Sequence, residues 1–254
     1  MIKYLKLLFY PVLLIILQFL TIFAFSLIFN AQTTLEINSL EYNLQLSQFL
    51  NNYKLIITLI PTIILIPLTI KKIDKPKRIP NNTLFLIIIG CSFALSYNLL
   101  LFSLNKIFNF TNLFDNVSVN IIVTLICSGL VGPILEELVF RGIVYNNLKK
   151  ITNITKATII TGLIFGIFHG NIIQFVYAFL FNIVLTKVYD KDNNILTPII
   201  VHVSANFIVT LTMFIINKLN IYLGIISFII FLIIFIIIMY KYIKLEQNKN
   251  VNNC

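Results

Sequence analysis

Residues 121–145 read IIVTLICSGLVGPILEELVFRGIVY, a run of 25 residues whose only charged groups are Glu136, Glu137 and Arg141. As a helix rising about 1.5 Å per residue it would be roughly 37 Å long, enough to cross the ~30 Å hydrocarbon of a bilayer. A carboxylate or guanidinium near the bilayer centre costs about 2.5 kcal/mol or more, so such a group marks function by default. Glu137 and Arg141 are four residues apart, share one helical face and can pair, which lowers the cost of burying both. Glu136 points roughly 100° away from that face. It must be satisfied by another helix, by water or by a metal, or else be protonated.

The rest of the chain agrees with a membrane reading. Hydrophobic residues make up 59% of the 254 and charged residues 11%, against roughly 25% charged in a soluble domain. Apolar runs predict spans near 5–29, 55–70, 83–104, 121–145, 157–171, 172–188, 195–215 and 221–240. The fifth and sixth meet at Gly170-Asn171, which suggests a tight hairpin. The expected fold is an all-α polytopic bundle of eight spans forming one membrane domain. N-terminal spans occupy 1–120, the spans from the charged run onward 121–210, and a last span with its tail 211–254.

Loop charges give this model a direction. With both termini cytoplasmic, fifteen Lys and Arg fall in inside segments, chiefly 71–78, 149–156, 187–191 and 241–249. Only Lys54, Lys106 and Lys218 fall outside, the asymmetry of the positive-inside rule. The net charge of +10 therefore sets orientation, and no nucleic-acid partner is expected. The first apolar run, Leu5 to Phe29, is too long for a signal-peptide core and has no A-x-A site behind it. Cys91, Cys127 and Cys254 are too few for a disulfide framework.

Both histidines of the chain fall in expected spans. His169 closes Phe165-Gly166-Ile167-Phe168-His169, and His202 opens His202-Val203-Ser204-Ala205-Asn206, where four-residue spacing puts His202 and Asn206 on one face. Counted from the cytoplasmic ends of their spans at 1.5 Å per residue, Glu136, His169, His202 and Asn206 fall roughly 10–18 Å deep. That is a common layer. Gly162, Gly166 and Gly170 form a small-residue stripe that lets another helix approach closely.

A glutamate, two histidines and an asparagine in a dry pocket suit hydrolysis. A carboxylate beside an imidazole can deprotonate a water, and a histidine and an asparagine opposite can hold the oxyanion formed when it attacks an amide. Glu136, His169 and His202 also have the composition of a catalytic zinc set. The spacing is not H-E-x-x-H, and both a zinc-bound and a metal-free water are compatible with these residues.

The E-E-x-x-x-R of Glu136 to Arg141, the F-x-x-x-H of Phe165 to His169 and the H-x-x-x-N of His202 to Asn206 resemble the three motifs of the CAAX-protease and bacteriocin-processing (CPBP, or Abi) family. They stand in that family's order over about 121–210, which the resemblance makes the catalytic core. The resemblance implies an intramembrane endopeptidase acting on a small hydrophobic or membrane-associated peptide or protein. By carry-over, Glu136 and His169 activate water, His202 and Asn206 stabilise the oxyanion, and Glu137, Arg141 and Phe165 brace the site. The family is usually called metalloproteases, which makes Zn2+ a candidate cofactor, and a glutamate mechanism without metal has also been argued. Its bacterial members are linked to bacteriocin immunity and peptide-signal maturation, which places this chain in a bacterial plasma membrane. Two alternatives are a non-catalytic immunity or scaffold protein and a transporter that uses Glu136 as a proton-coupling carboxylate.

Overall fold

The computed structural model describes residues 2–73, 78–108, 120–216 and 218–244. Lys75, Lys77, Lys249 and Cys254, read above as loop or tail residues, lie outside these ranges. Within them, all regular structure is helical: α1 (Ile2–Gln32), α2 (Leu40–Asn52), α3 (Lys54–Ile70), α4 (Thr83–Phe108), α5 (Ile121–Ile151), α6 (Ile154–Ile167), α7 (Ile172–Asp192), α8 (Leu196–Ile216) and α9 (Ile221–Lys244).

Each expected span has a helix in its place, but the helices differ in reach. Among the described residues five are long and apolar enough to cross a membrane, or six if α2 and α3, bent 55° at their junction, make one broken span. The apolar stretches of α6 and α8 are shorter. α6 stops at Ile167 after a length of 14 residues, because the chain turns at Phe168-His169-Gly170. α9 shows why the environment is a bilayer: Ile225, Ile226, Ile229, Ile230, Ile233, Ile236 and Ile237 are all exposed on it. A continuous apolar surface of that size is foreign to water-soluble proteins.

α2 was not expected, since it lacks a long apolar run. Local signals start it. The Ser39 side chain accepts from the Tyr42 N–H, and Glu41 lies in the first turn, both favourable at a helix N-terminus. The Tyr42 hydroxyl then donates to Asn30 Oδ1 at 2.6 Å, and Phe29 packs against the rings of Tyr42 and Phe49.

The chain divides into two compact units, Met1–Asp74 with Val117–Ala157, and Lys75–Asn116 with Thr158–Cys254. In the first, α3 packs against α1, α2 and α5. In the second, α4 is the centre and packs against α8 and α9. Gly90 allows the first of these contacts, since a Cβ there would collide with the Val201 carbonyl oxygen and Ser204 Oγ of α8. Gly224 of α9 plays the same part against Phe102 and Ser103.

The glycine stripe of α6 divides by role. Gly162 and Gly166 lie under Phe179 and Phe175 of α7, and Asn182 Nδ2 donates to the Thr158 carbonyl at 2.9 Å. A Cβ at Gly170 would meet nothing within 4 Å. The residue's φ of 75° makes the turn, a conformation glycine adopts without steric penalty. Asn171 then caps α7 by accepting from the Gln174 N–H. At its other end α7 is clasped to α9. The Lys191 ammonium donates to the Tyr242 carbonyl and sits over its ring, and the Tyr242 hydroxyl donates to Asp192 at 2.7 Å.

Candidate active site

The first unit holds the carboxylates. Gly132–Glu137 is an α-helical segment set between two π-helical ones, Leu125–Val131 and Leu138–Tyr145. Pro133 accounts for the first. Proline has no N–H, and its ring clashes with the carbonyl four residues back in a regular helix. Here the turn before it is widened, and the Gly132 N–H reaches five residues back to the Cys127 carbonyl. Such wide turns inside α-helices are frequent at functional sites.

Glu137 and Arg141 form the expected pair. Arg141 Nη1 donates to Glu137 Oε1 at 2.8 Å, and both side chains are fully buried. The second π segment around them is buried at all eight positions. Gly142 keeps it close to the segment that follows α3, where a Cβ would come within 2.5 Å of Ile73 Cγ2. Glu136 is half-buried and turns back along the helix, its Oε1 3.9 Å from where a Gly132 Cβ would stand. It also interacts electrostatically with Arg141.

The second unit holds both histidines and Asn206. His169 was expected inside a span over 157–171. It lies instead in the turn two residues past the end of α6. Its Nδ1 is 2.8 Å from the Phe165 carbonyl oxygen. A carbonyl can only accept, so Nδ1 carries the proton, and in the neutral imidazole Nε2 presents its lone pair. The ring of Phe165 stands edge-to-face to His169, with centroids 4.8 Å apart.

His202, on α8, is only 3% exposed. It meets Phe165 at 6.1 Å and 90° and Phe181 of α7 at 5.2 Å and 88°. Phe165 thus touches both histidines, a stronger role than its motif position alone suggests. Asn206 lies one turn beyond His202 and is half-buried, its carbonyl accepting from Thr210 Oγ1 at 2.9 Å. Ser204 faces away toward α4, as its register predicts, and donates to the Val201 carbonyl.

The structure therefore brings Glu136, Glu137 and Arg141 together in one unit, and Phe165, His169, His202 and Asn206 in the other. A catalytic zinc takes three protein ligands. Neither unit gathers, among its described residues, three His, Cys, Asp or Glu side chains that could hold a metal, so the donors within each unit do not fit one.

A helical chain with this much exposed apolar surface is a membrane protein. Sequence comparison shows what part of it is similar to. Residues 118–208 match the family model described as "Type II CAAX prenyl endopeptidase Rce1-like", a region that contains all three motifs and bears out the resemblance they carry. Over 87 residues, 34% of this chain, it is 33% identical to the Bacillus subtilis (strain 168) protein named "Putative membrane peptidase YdiL", covering 36% of that protein. Over 79 residues it is 33% identical to the "UPF0177 protein YxdF" of Lactococcus lactis subsp. lactis (strain IL1403), covering 31% of this chain and 43% of that one. The chain thus spans less than half the length of the curated relatives it matches.

Proposed function

We propose that this protein is an intramembrane endopeptidase of eight spans with both termini cytoplasmic, resident in a bacterial plasma membrane. Its substrate is a small hydrophobic or membrane-associated peptide or protein, cut in bacteriocin immunity or in maturation of a peptide signal. The observation that carries this reading is the match to a CAAX-type endopeptidase model over 118–208, the stretch in which Glu136, His169, His202 and Asn206 all lie.

In this reading Glu136 and His169 activate water, Glu136 by taking a proton and His169 through the lone pair of Nε2. The fixed Nδ1–H of His169 supports that role. The hydroxide attacks the scissile carbonyl, and the developing oxyanion accepts hydrogen bonds from His202 and the Asn206 amide. The proton on Glu136 then passes to the leaving amine as the C–N bond breaks. Glu137 and Arg141 hold the helix that carries Glu136. These steps use protein groups alone.

The test compares membrane peptides from cells expressing the parent protein, Glu136→Ala or His169→Ala, identified by mass spectrometry. Products made by the parent should fall on the order of 10²–10⁴-fold in both variants, with both inserting at parental levels. Undiminished products in both variants would sink the protease reading. Protection against a bacteriocin that persists in both, with no cleavage by any form, would replace it with an immunity or scaffold role.

A further inference from the structure

We propose that Phe181 is a positioning residue for His202, setting the plane of its imidazole from outside the three motifs. The proposal deepens the protease reading and rests on it for its functional meaning. Its structural core stands on the contact alone.

Phe181 sits on α7, belongs to no motif, and is fully buried. Its ring stands at 88° to the His202 imidazole with centroids 5.2 Å apart, while Phe165 stands at 90° on the same imidazole. The χ2 torsion of histidine is intrinsically broad. With two rings perpendicular to it, rotation about χ2 sweeps imidazole atoms into one ring or the other, so the well is narrowed by packing. Neither phenyl ring offers a lone pair. Both can therefore fix the imidazole plane without competing for its nitrogens, which suits a group asked to donate to an oxyanion.

Phe181 is itself held. It stacks on Phe93 of α4 at 5.0 Å and 15°, and on Tyr177 at 5.5 Å and 26°. Offset and edge-to-face contacts of this kind contribute beyond the area they bury. The wall beside His202 is thus continuous with the core of α4, α7 and α8, where Leu86, Ile89, Val201 and Ala205 are fully buried.

The chain has two histidines, so selective 15N/13C-histidine labelling in detergent or nanodiscs yields two ring systems, readable whether or not any peptide is cut. Phe181→Leu should move the His202 ring signals and leave those of His169 in place. Phe165→Leu should move both sets. Phe181→Tyr, which keeps the ring, should restore the parental His202 signals. Phe93→Leu, which loosens the same stack without touching His202, should change them far less than Phe181→Leu. With a cleavable peptide, Phe181→Leu should lower kcat about tenfold or more with KM held, since an ångström of misplacement costs roughly 10²-fold, and Phe181→Tyr should recover it.

Unmoved His202 signals in Phe181→Leu, or equal movement of both histidines, overturn the proposal. So does an equal effect of Phe93→Leu, which would make the contact ordinary packing. If Phe181→Leu fails to fold, as judged by loss of the His169 signals, Phe181→Met carries the same comparison with side-chain bulk kept. A parent protein that cuts nothing would end the protease reading and leave the labelling result to decide this one.

Discussion

The two groups of candidate residues, one in each unit, are held by opposite kinds of chemistry. In the first unit a fully buried guanidinium and carboxylate hold each other at 2.8 Å along one helix. In the second, both imidazoles lie against phenyl rings, and the Phe165 carbonyl accepts from one of them. The difference follows from charge. A full charge in a low-dielectric interior needs a counter-charge close by, and the next helical turn is the nearest place to put one. An imidazole has no such need, so apolar packing can help to set its orientation. The carboxylate half is thus local in sequence, whereas the imidazole half draws on α6, α7 and α8.

Breaking the ionic half should have the largest effect on stability. Arg141→Met leaves Glu137 buried without its guanidinium, and removing one member of a buried pair costs about 3–5 kcal/mol. Replacing both, as Glu137→Leu with Arg141→Met, should recover much of that loss. A double-mutant cycle on thermal unfolding in a fixed detergent measures the coupling. If the single and double variants unfold alike, the pair is not what holds this half, and the contrast fails.

Packing should dominate in the other unit. Gly90→Ala places a methyl group against the Val201 carbonyl and Ser204 Oγ, and the backbone oxygen cannot rotate away as a side chain could. Overpacking of this kind costs about 1–3 kcal/mol. It should also displace α8, and with it His202 and Asn206, so turnover should fall more than stability predicts. The check is to measure the melt and the cleavage rate on one preparation. A loss of stability with the rate intact would show that the position of α8 along α4 does not govern the site.

What the sequence made legible tracks this same contrast. Glu137 and Arg141 could be paired from their spacing, because an i,i+4 contact is decided within one helix. The hairpin at Gly170-Asn171 could be read for the same reason. The π turns around Glu136 could not be, although Gly132-Pro133 hints at the first. A widened turn changes register without changing the apolar pattern, and its placement depends on Pro133 and on packing such as Gly142 against Ile73. Phe181 was invisible because one aromatic among 23 phenylalanines reads as core until its neighbour is known. His169 was placed a turn too deep in its helix, since apolarity continues through Phe168 after the backbone has left the helix. α2 was missed because a cap and a first-turn acid, rather than apolar runs, begin it.

The smallest expected effect tests whether the imidazole half is as apolar in its support as its contacts suggest. The Tyr97 hydroxyl donates to the Ile173 carbonyl at 3.0 Å, tying α4 to the first turn of α7 just after the His169 turn. Tyr97→Phe removes that tie and keeps the ring that packs on Tyr177. A net hydrogen bond of this type contributes about 0.5–1.5 kcal/mol. The variant should therefore melt slightly earlier, exchange amide protons faster at the start of α7, and keep the labelled histidine signals of the parent. The His169 tautomer depends on Phe165, which this change does not touch. If the His169 signals move as well, the turn is held by polar ties across α4, and the imidazole half resembles the carboxylate half more than its ring contacts imply.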